Sequence, residues 1–312
     1  PVVDTPVSIW PVIPVDTVNL TPVRYFGTGA ADTVLGGAGA DILLGHGGDD
    51  ALIGEGGNDV LRGDDGDDYL DGGAGRDMIF GGAGNDDILA GLDADMVYGD
   101  AGQDRIFGEE GDDILNGGLG DDTLHGDAGD DRFVASELDG NDIYDGGLGT
   151  DTLDMSAILA NITVDLGIGL MGRGSAIGAG SDTLFGIENV MTGSGHDTIL
   201  ANGAVNVLDG GAGDNTFVFR SVADAQGDTI LGFTAGDVID LSGIDADAQT
   251  GGLQAFNLVG RDMATGAGQL TFSHMTTEDG HDMTVITGNT GTDAFELKVQ
   301  GHHELTNDQF SL

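Results

Sequence analysis

Twelve nine-residue units run without a break from Gly27 to Val134, and no other feature of the sequence limits its fold as severely. The unit Gly36-Gly37-Ala38-Gly39-Ala40-Asp41-Ile42-Leu43-Leu44 shows the pattern: glycine at the first, second and fourth places, Asp at the sixth, an aliphatic at the eighth. The sixth place is Asp in every unit: Asp32, Asp41, Asp50, Asp59, Asp68, Asp77, Asp86, Asp95, Asp104, Asp113, Asp122 and Asp131. The eighth is always apolar: Val34, Leu43, Leu52, Leu61, Leu70, Ile79, Ile88, Val97, Ile106, Leu115, Leu124 and Phe133. A biased but unstructured Gly/Asp linker has no reason to hold a phase of nine for so long.

Each place has a physical reason. Glycine takes positive φ at little steric cost, so three glycines within four residues permit a tight open loop. Such a loop turns successive carbonyls inward, and a carboxylate at its end completes an all-oxygen nest for a hard cation of Ca²⁺ size. The last three places predict a very short strand with its middle side chain inside, because side chains alternate along a strand. Two units then make one flattened coil. Coils stacked by parallel pairing rise roughly 4.8 Å each, so six would extend on the order of 29 Å.

This register resembles that of the RTX (repeats-in-toxin) calcium-binding family. The resemblance implies an all-β fold: a right-handed parallel β-roll, a solenoid of nonapeptides, with a C-terminal β-rich cap. It implies several Ca²⁺ ions held by the sixth-place aspartates, to which Asp142, Asp151 and Asp197 of later units are added. The fifth place is acidic or amide in Asp49, Asn58, Asp67, Asn85, Asp112, Asp121, Asp130 and Asn141, but Ala40, Arg76 and Ala94 elsewhere. It reads either as a secondary oxygen ligand or as a turn-former that tolerates left-handed geometry. The oxygen count that Ca²⁺ needs favours the ligand.

Charge sharpens the argument. The chain carries 55 acidic and 9 basic residues, a net charge of −46, with 59 glycines and no cysteine. Between Gly27 and Val134 stand 27 acids against Arg62, Arg76, Arg105 and Arg132. Such a column repels itself, glycine adds ordering cost, and one buried aliphatic per nine residues offsets little of it. The metal-free repeat is therefore expected to be mostly unfolded, with folding and calcium binding a single event. Weak sites fill outside the cell, where calcium is abundant. Absence of cysteine is compatible with export without disulfides. A nucleic-acid partner is excluded for want of a basic stripe, there being a single lysine, Lys298. No secretory leader or membrane-length apolar run is read in the sequence.

Along the chain, residues 1–26 hold all five prolines and the only Trp, and read as a linker from an upstream domain or as a cap over the first coil. Because the chain opens with Pro1, it is expected to be the tail of a larger secreted protein. The main array is placed at residues 27–154, with a small insertion at 135–139 and a full unit at Gly146–Asp154. Residues 155–191 lose the code and read as irregular coils with a protruding loop. A second array spans 192–218, where Asn206 and Asn215 replace the sixth-place Asp; an amide brings no charge, so these loops should bind weakly or not at all.

Residues 219–312 resemble the closing domain of serralysin-type RTX modules, with strands expected at 269–275, 283–287 and 294–299. The carboxylate-poor loop Gly288–Asp293 makes a calcium site there doubtful. The end, Asn307–Leu312, resembles the acidic-then-hydrophobic terminus that a type I secretion machine reads, which implies a secreted, extracellular protein.

No catalytic constellation stands out. His303-Glu304-Leu305-Thr306-Asn307 begins like a zinc-protease helix, but Asn307 replaces the second His. No Gly-x-Ser-x-Gly elbow, thiol or phosphate loop is present. Adjacent acids such as Asp64-Asp65 arise from the repeat itself. His274, His281, His302 and His303 lie close in sequence, and surface histidines are the default reading. The function expected is a calcium-binding module that folds on export and serves as a secretion tail. The alternatives are an adhesion module, or the end of a secreted protease, lipase or polysaccharide-modifying enzyme whose catalytic domain lies upstream. The second place, which runs from Thr28 through His46 and Glu55 to Asp127, forms no flat array of Thr, Asn or aromatics of the kind an adhesive face needs.

Overall fold

Residues eighteen apart stand opposite each other on neighbouring strands, as two nonapeptides per coil require. Leu43 pairs with Leu61, Leu61 with Ile79, and Ile79 with Val97, while Leu52, Leu70, Ile88 and Ile106 do the same on the other side. The computed structural model describes residues 22–167, 173–178, 180–263 and 265–312. Of the linker or cap expected at residues 1–26, residues 1–21 lie outside them, and Arg24–Phe26 is a strand paired in parallel with Ile42–Gly47. Contacts divide the chain into two compact units, one ending at His125 and one starting at Gly126.

In the first unit the strands alternate between two parallel sheets. One holds Arg24–Phe26, Ile42–Gly47, Val60–Asp65, Met78–Ala83, Met96–Ala101 and Ile114–Asn116. The other holds Thr33–Gly37, Ala51–Glu55, Tyr69–Ala74, Asp87–Leu92, Arg105–Glu110 and Thr123–His125. Every eighth-place side chain from Leu43 to Leu124 is 0% exposed, so the core is a double column of single aliphatics. The fold is a parallel β-roll. One expectation needs correcting: most strands run six residues rather than three, because pairing continues through the following glycines, as His46 opposite Asp64 and Asp64 opposite Gly82 show.

The second unit keeps the two-sheet plan. Arg132–Val134, Thr152–Asp154, Asn189–Met191, Val207–Asp209 and Thr229–Leu231 continue in parallel. Ala294–Gln300 then joins in parallel and begins an antiparallel meander with Asp282–Asn289 and Gln269–Thr276. This meander is the β-rich cap, with Phe256, Leu270, Phe295 and Leu297 in its core.

In the opposite sheet the irregular stretch is a genuine break. Gly174–Ile177 is antiparallel to both Thr163–Asp165 and Ser181–Phe185. Parallel order resumes through Thr198–Leu200, Thr216–Val218 and Val238–Asp240, and Phe310–Ser311 adds the last strand. Arg220 secures the break with a two-pronged pair to Asp165 at 2.9 and 3.0 Å, and it also donates to the Gly167 and Ala201 carbonyls. Of the loop expected at Gly288–Asp293, Gly288 and Asn289 belong to the strand and pair with Phe295 and Ala294, and Thr290–Asp293 forms a tight turn, its Thr290 N–H donating to the Asp293 carbonyl.

Candidate metal centre

The two loop edges of the roll are lined by carboxylates in register. Asp32, Asp50, Asp68, Asp86, Asp104 and Asp122 form one column: each Oδ1 after the first accepts the backbone N–H of the aspartate eighteen residues earlier, at 2.7–2.9 Å. Asp41, Asp59, Asp77, Asp95 and Asp113 form the other, at 2.7 Å throughout. From Asp41 onward these side chains are buried, and Asp32 at the first coil is half-buried.

The second carboxylate oxygen decides what the columns can do. Oδ2 of Asp41, Asp50, Asp59, Asp68, Asp77, Asp86, Asp95 and Asp104 is buried with no hydrogen-bond donor within the protein. Except in Asp95, whose unit begins with Ala90, it faces the first-place glycine of its own unit. A methyl group on Gly36 would collide with Asp41 Oδ2 and come within 2.9 Å of the Gly54 carbonyl of the next coil. Carboxylate and carbonyl oxygens thus converge on one small space per coil. Further along each loop, the carbonyls of Glu55 and Gly57 lie against Gly73 and Gly75 of the following coil.

An anionic, all-oxygen cradle with a buried acceptor lacking any donor fits a hard divalent cation and little else. Burial, reinforced by neighbouring aspartates and only partly offset by the backbone hydrogen bond, raises the carboxyls of Asp50, Asp59, Asp68, Asp77, Asp86, Asp95 and Asp104. Asp68 and Asp77 rise to about 6, Asp59, Asp86 and Asp104 to about 7, and Asp95 to about 8. Buried carboxylates stacked in register without a counter-charge are favoured as protonated acids, whereas a cation between coils would let them stay ionised.

The fifth place does something different. Asp49, Asn58, Asp67, Asn85, Asp112, Asp121, Asp130 and Asn141 are all exposed at the outer edge. Oδ1 of Asp49, Asn58, Asp67, Asn85, Asp130 and Asn141 accepts a backbone N–H of the fifth-place residue in the next coil, for example Asn85 N–H to Asp67 at 2.8 Å. This outer ladder runs in the opposite sense to the inner one.

In the second unit the inner ladder continues with substitutions. Asp131 N–H donates to Asp151, and Asp151 N–H to Glu188. Asp197 is buried, and the Oδ2 atoms of both Asp151 and Asp197 lack a donor. Asp142 differs, since the Tyr144 hydroxyl donates to its Oδ2 at 2.9 Å. Asn206 is self-contained: its amide donates to the Glu188 carbonyl and to Asn202 Oδ1.

Besides Glu188, three aspartates of the ladder escaped the sequence reading. Asp182, Asp228 and Asp237 accept the backbone N–H groups of Asp142, Asn206 and Asn215. Burial raises Asp182 to about 6 and Asp228 to about 8, and Asp228 Oδ2 has no donor. Their signal was an Asp two residues before a buried aliphatic (Leu184, Ile230, Ile239), without the spacing of nine.

The model of the RTX calcium-binding nonapeptide repeat (4 copies) matches residues 26–61, 62–97 and 98–133. That of the peptidase M10 serralysin C-terminal domain matches residues 141–310. The chain is an RTX protein with a serralysin-type C-terminal domain. Neither model describes a catalytic domain. Among curated proteins, none matches the chain. The buried aspartate columns fall within the calcium-binding repeats of this RTX chain, and Asp182, Asp197, Asp228 and Asp237 fall within its serralysin-type region. Among the described residues, no helix is long and apolar enough to cross a membrane.

Proposed function

We propose that this RTX module folds when Ca²⁺ enters the aspartate columns, and that it acts as the calcium-triggered folding and secretion tail of a larger extracellular protein. The ligands are the sixth-place aspartates together with first-place and loop carbonyls, with the fifth-place side chains aligning successive loops from outside. The observation that carries the reading is the row of buried Oδ2 atoms without a donor. Calcium would supply charge neutralisation there. Without it, desolvation and mutual repulsion act on every coil at once.

The C-terminus supports the order of events. Phe310 is 8% exposed and its strand pairs with Val238–Asp240, so an export machine reading Asn307–Leu312 needs the unfolded chain. Low calcium inside the cell keeps it so, and higher calcium outside closes the fold behind it. The module itself is non-catalytic in this reading. His303 and Glu304 lie in an irregular stretch, and Asn307 begins a short 3₁₀ turn rather than completing a zinc-binding helix.

Limited proteolysis tests the proposal. Metal-stripped chain should be digested throughout, and millimolar calcium should protect a fragment covering the repeats and the cap. Identical digestion with and without calcium would reject the reading.

A further inference from the structure

The cap brings together a group of side chains that the calcium columns do not use. His274, His302 and Glu304 each place a ligand atom within 4.8 Å of the others. Their positions follow from the meander. His274 stands on Gln269–Thr276, opposite Thr284 of the central strand. Thr284 is buried, and its hydroxyl donates to the Gly301 carbonyl at 2.8 Å while accepting the His303 N–H at 2.9 Å. That clamp folds the stretch after Gln300 back over the sheet and sets the His302 ring against His274, with centroids 3.5 Å apart.

The hydrogen bonding suits a metal. Nε2 of His274 lies 2.8 Å from the His303 carbonyl, which can only accept, so that nitrogen carries the proton and Nδ1 keeps its lone pair. A backbone carbonyl fixing the tautomer and ring of a ligating histidine is the usual support for such a site. His302 Nε2 is 3.9 Å from Glu304 Oε1, wider than the separation of about 3.3 Å that ligands adopt around a tetrahedral ion with bonds near 2.0–2.1 Å, so a bound ion would draw these two exposed side chains together. Arg261 reaches Glu304 Oε1 at 2.5 Å and has a second partner in Asp262 at 3.5 Å. It orients the carboxylate, and Oε1, with two lone pairs, keeps acceptor capacity toward an ion.

We infer that His274, His302 and Glu304 form a binding site for a divalent transition-metal ion of the zinc class, separate from the calcium columns. Two imidazoles and one carboxylate match zinc, nickel or copper and not calcium, which takes six to eight oxygens. Bound there, the ion ties the segment after Gln300 to the strand Gln269–Thr276 and leaves one coordination position open to solvent.

Calorimetric titration of the full chain with zinc chloride, in calcium sufficient to saturate the columns, tests this. One saturable equivalent of micromolar affinity is expected. His302→Ala alters an exposed side chain and should weaken it at least tenfold, as should His274→Gln, with a smaller loss for Glu304→Gln. Imidazole nitrogen resonances give a second readout, and zinc should shift Nδ1 of His274 rather than Nε2. Absence of a saturable event, affinity unchanged from the parent chain in both histidine variants, or an unmoved Nδ1 resonance would each overturn the assignment.

Discussion

The three glycines of a repeat unit are there for two different reasons. At the second and fourth places the backbone takes positive φ, and the second place accepts His46, Glu55, Asp64 or Asp100 at φ of 69–76°. The first place has no such φ in the aspartate columns; there it is the side chain that has no room, because Asp Oδ2 and the next coil's carbonyl lie over the Cα. Ala90 is the exception at this place. Gly81→Ala would put a methyl group against Asp86 Oδ2 and the Gly99 carbonyl, and is expected to weaken calcium binding. A calcium titration of the variant checks it. Asp77→Ala in mid-array should raise the calcium midpoint severalfold and remove roughly 1–3 kcal/mol of stability in calcium; an unchanged midpoint would count against the ligand assignment.

The raised carboxyls also set a pH dependence. Their folded values of about 6 to about 8 lie above the ordinary Asp value of 3.8, so the metal-free fold binds more protons than the unfolded chain. Its stability is fully present below about pH 4 and is lost as pH rises through 6 to 8. With calcium the sign reverses, because the ligands must deprotonate. Strand content of chelated protein should fall from pH 5 to pH 8, while the calcium midpoint moves to lower concentration over the same range.

At the scale of elements, coil and core were legible because one rule repeats. Asp at place six and an aliphatic at place eight fix both the loop edge and the inward column, and eighteen residues per coil fix the register. Asp182, Asp228 and Asp237 were not legible as ladder members, since insertions before them break the spacing and only the folded chain brings them under Asp142, Asn206 and Asn215. The antiparallel strand Gly174–Ile177 left no periodic trace either, because a single strand added between coils obeys no repeat. At the fifth place, an acidic or amide type at a loop edge suits a ligand and a hydrogen-bonding ladder equally, and composition does not separate them. Asn206 gives a test at this scale. Asn206→Asp replaces the amide that donates to Glu188 and Asn202, so it should lower the melting temperature in chelator, where no cation offsets the new charge. Arg220→Lys should cost about 1–3 kcal/mol by losing the two-pronged grip on Asp165. Thermal unfolding in saturating calcium measures it.

For the whole molecule, the account rests on a net charge of −46 and a core that is thin over the repeats. Compaction is ascribed to neutralising the aspartate columns rather than to apolar burial alone. Magnesium should not replace calcium, since it holds water tightly and demands strict octahedral geometry. The most direct measurement is circular dichroism of metal-stripped chain titrated with Ca²⁺ at neutral pH, with Mg²⁺ as control. The account predicts a disordered spectrum that converts cooperatively to β-structure with calcium alone. A chelated chain that already shows the full β spectrum, and does not change when calcium is added, would contradict it.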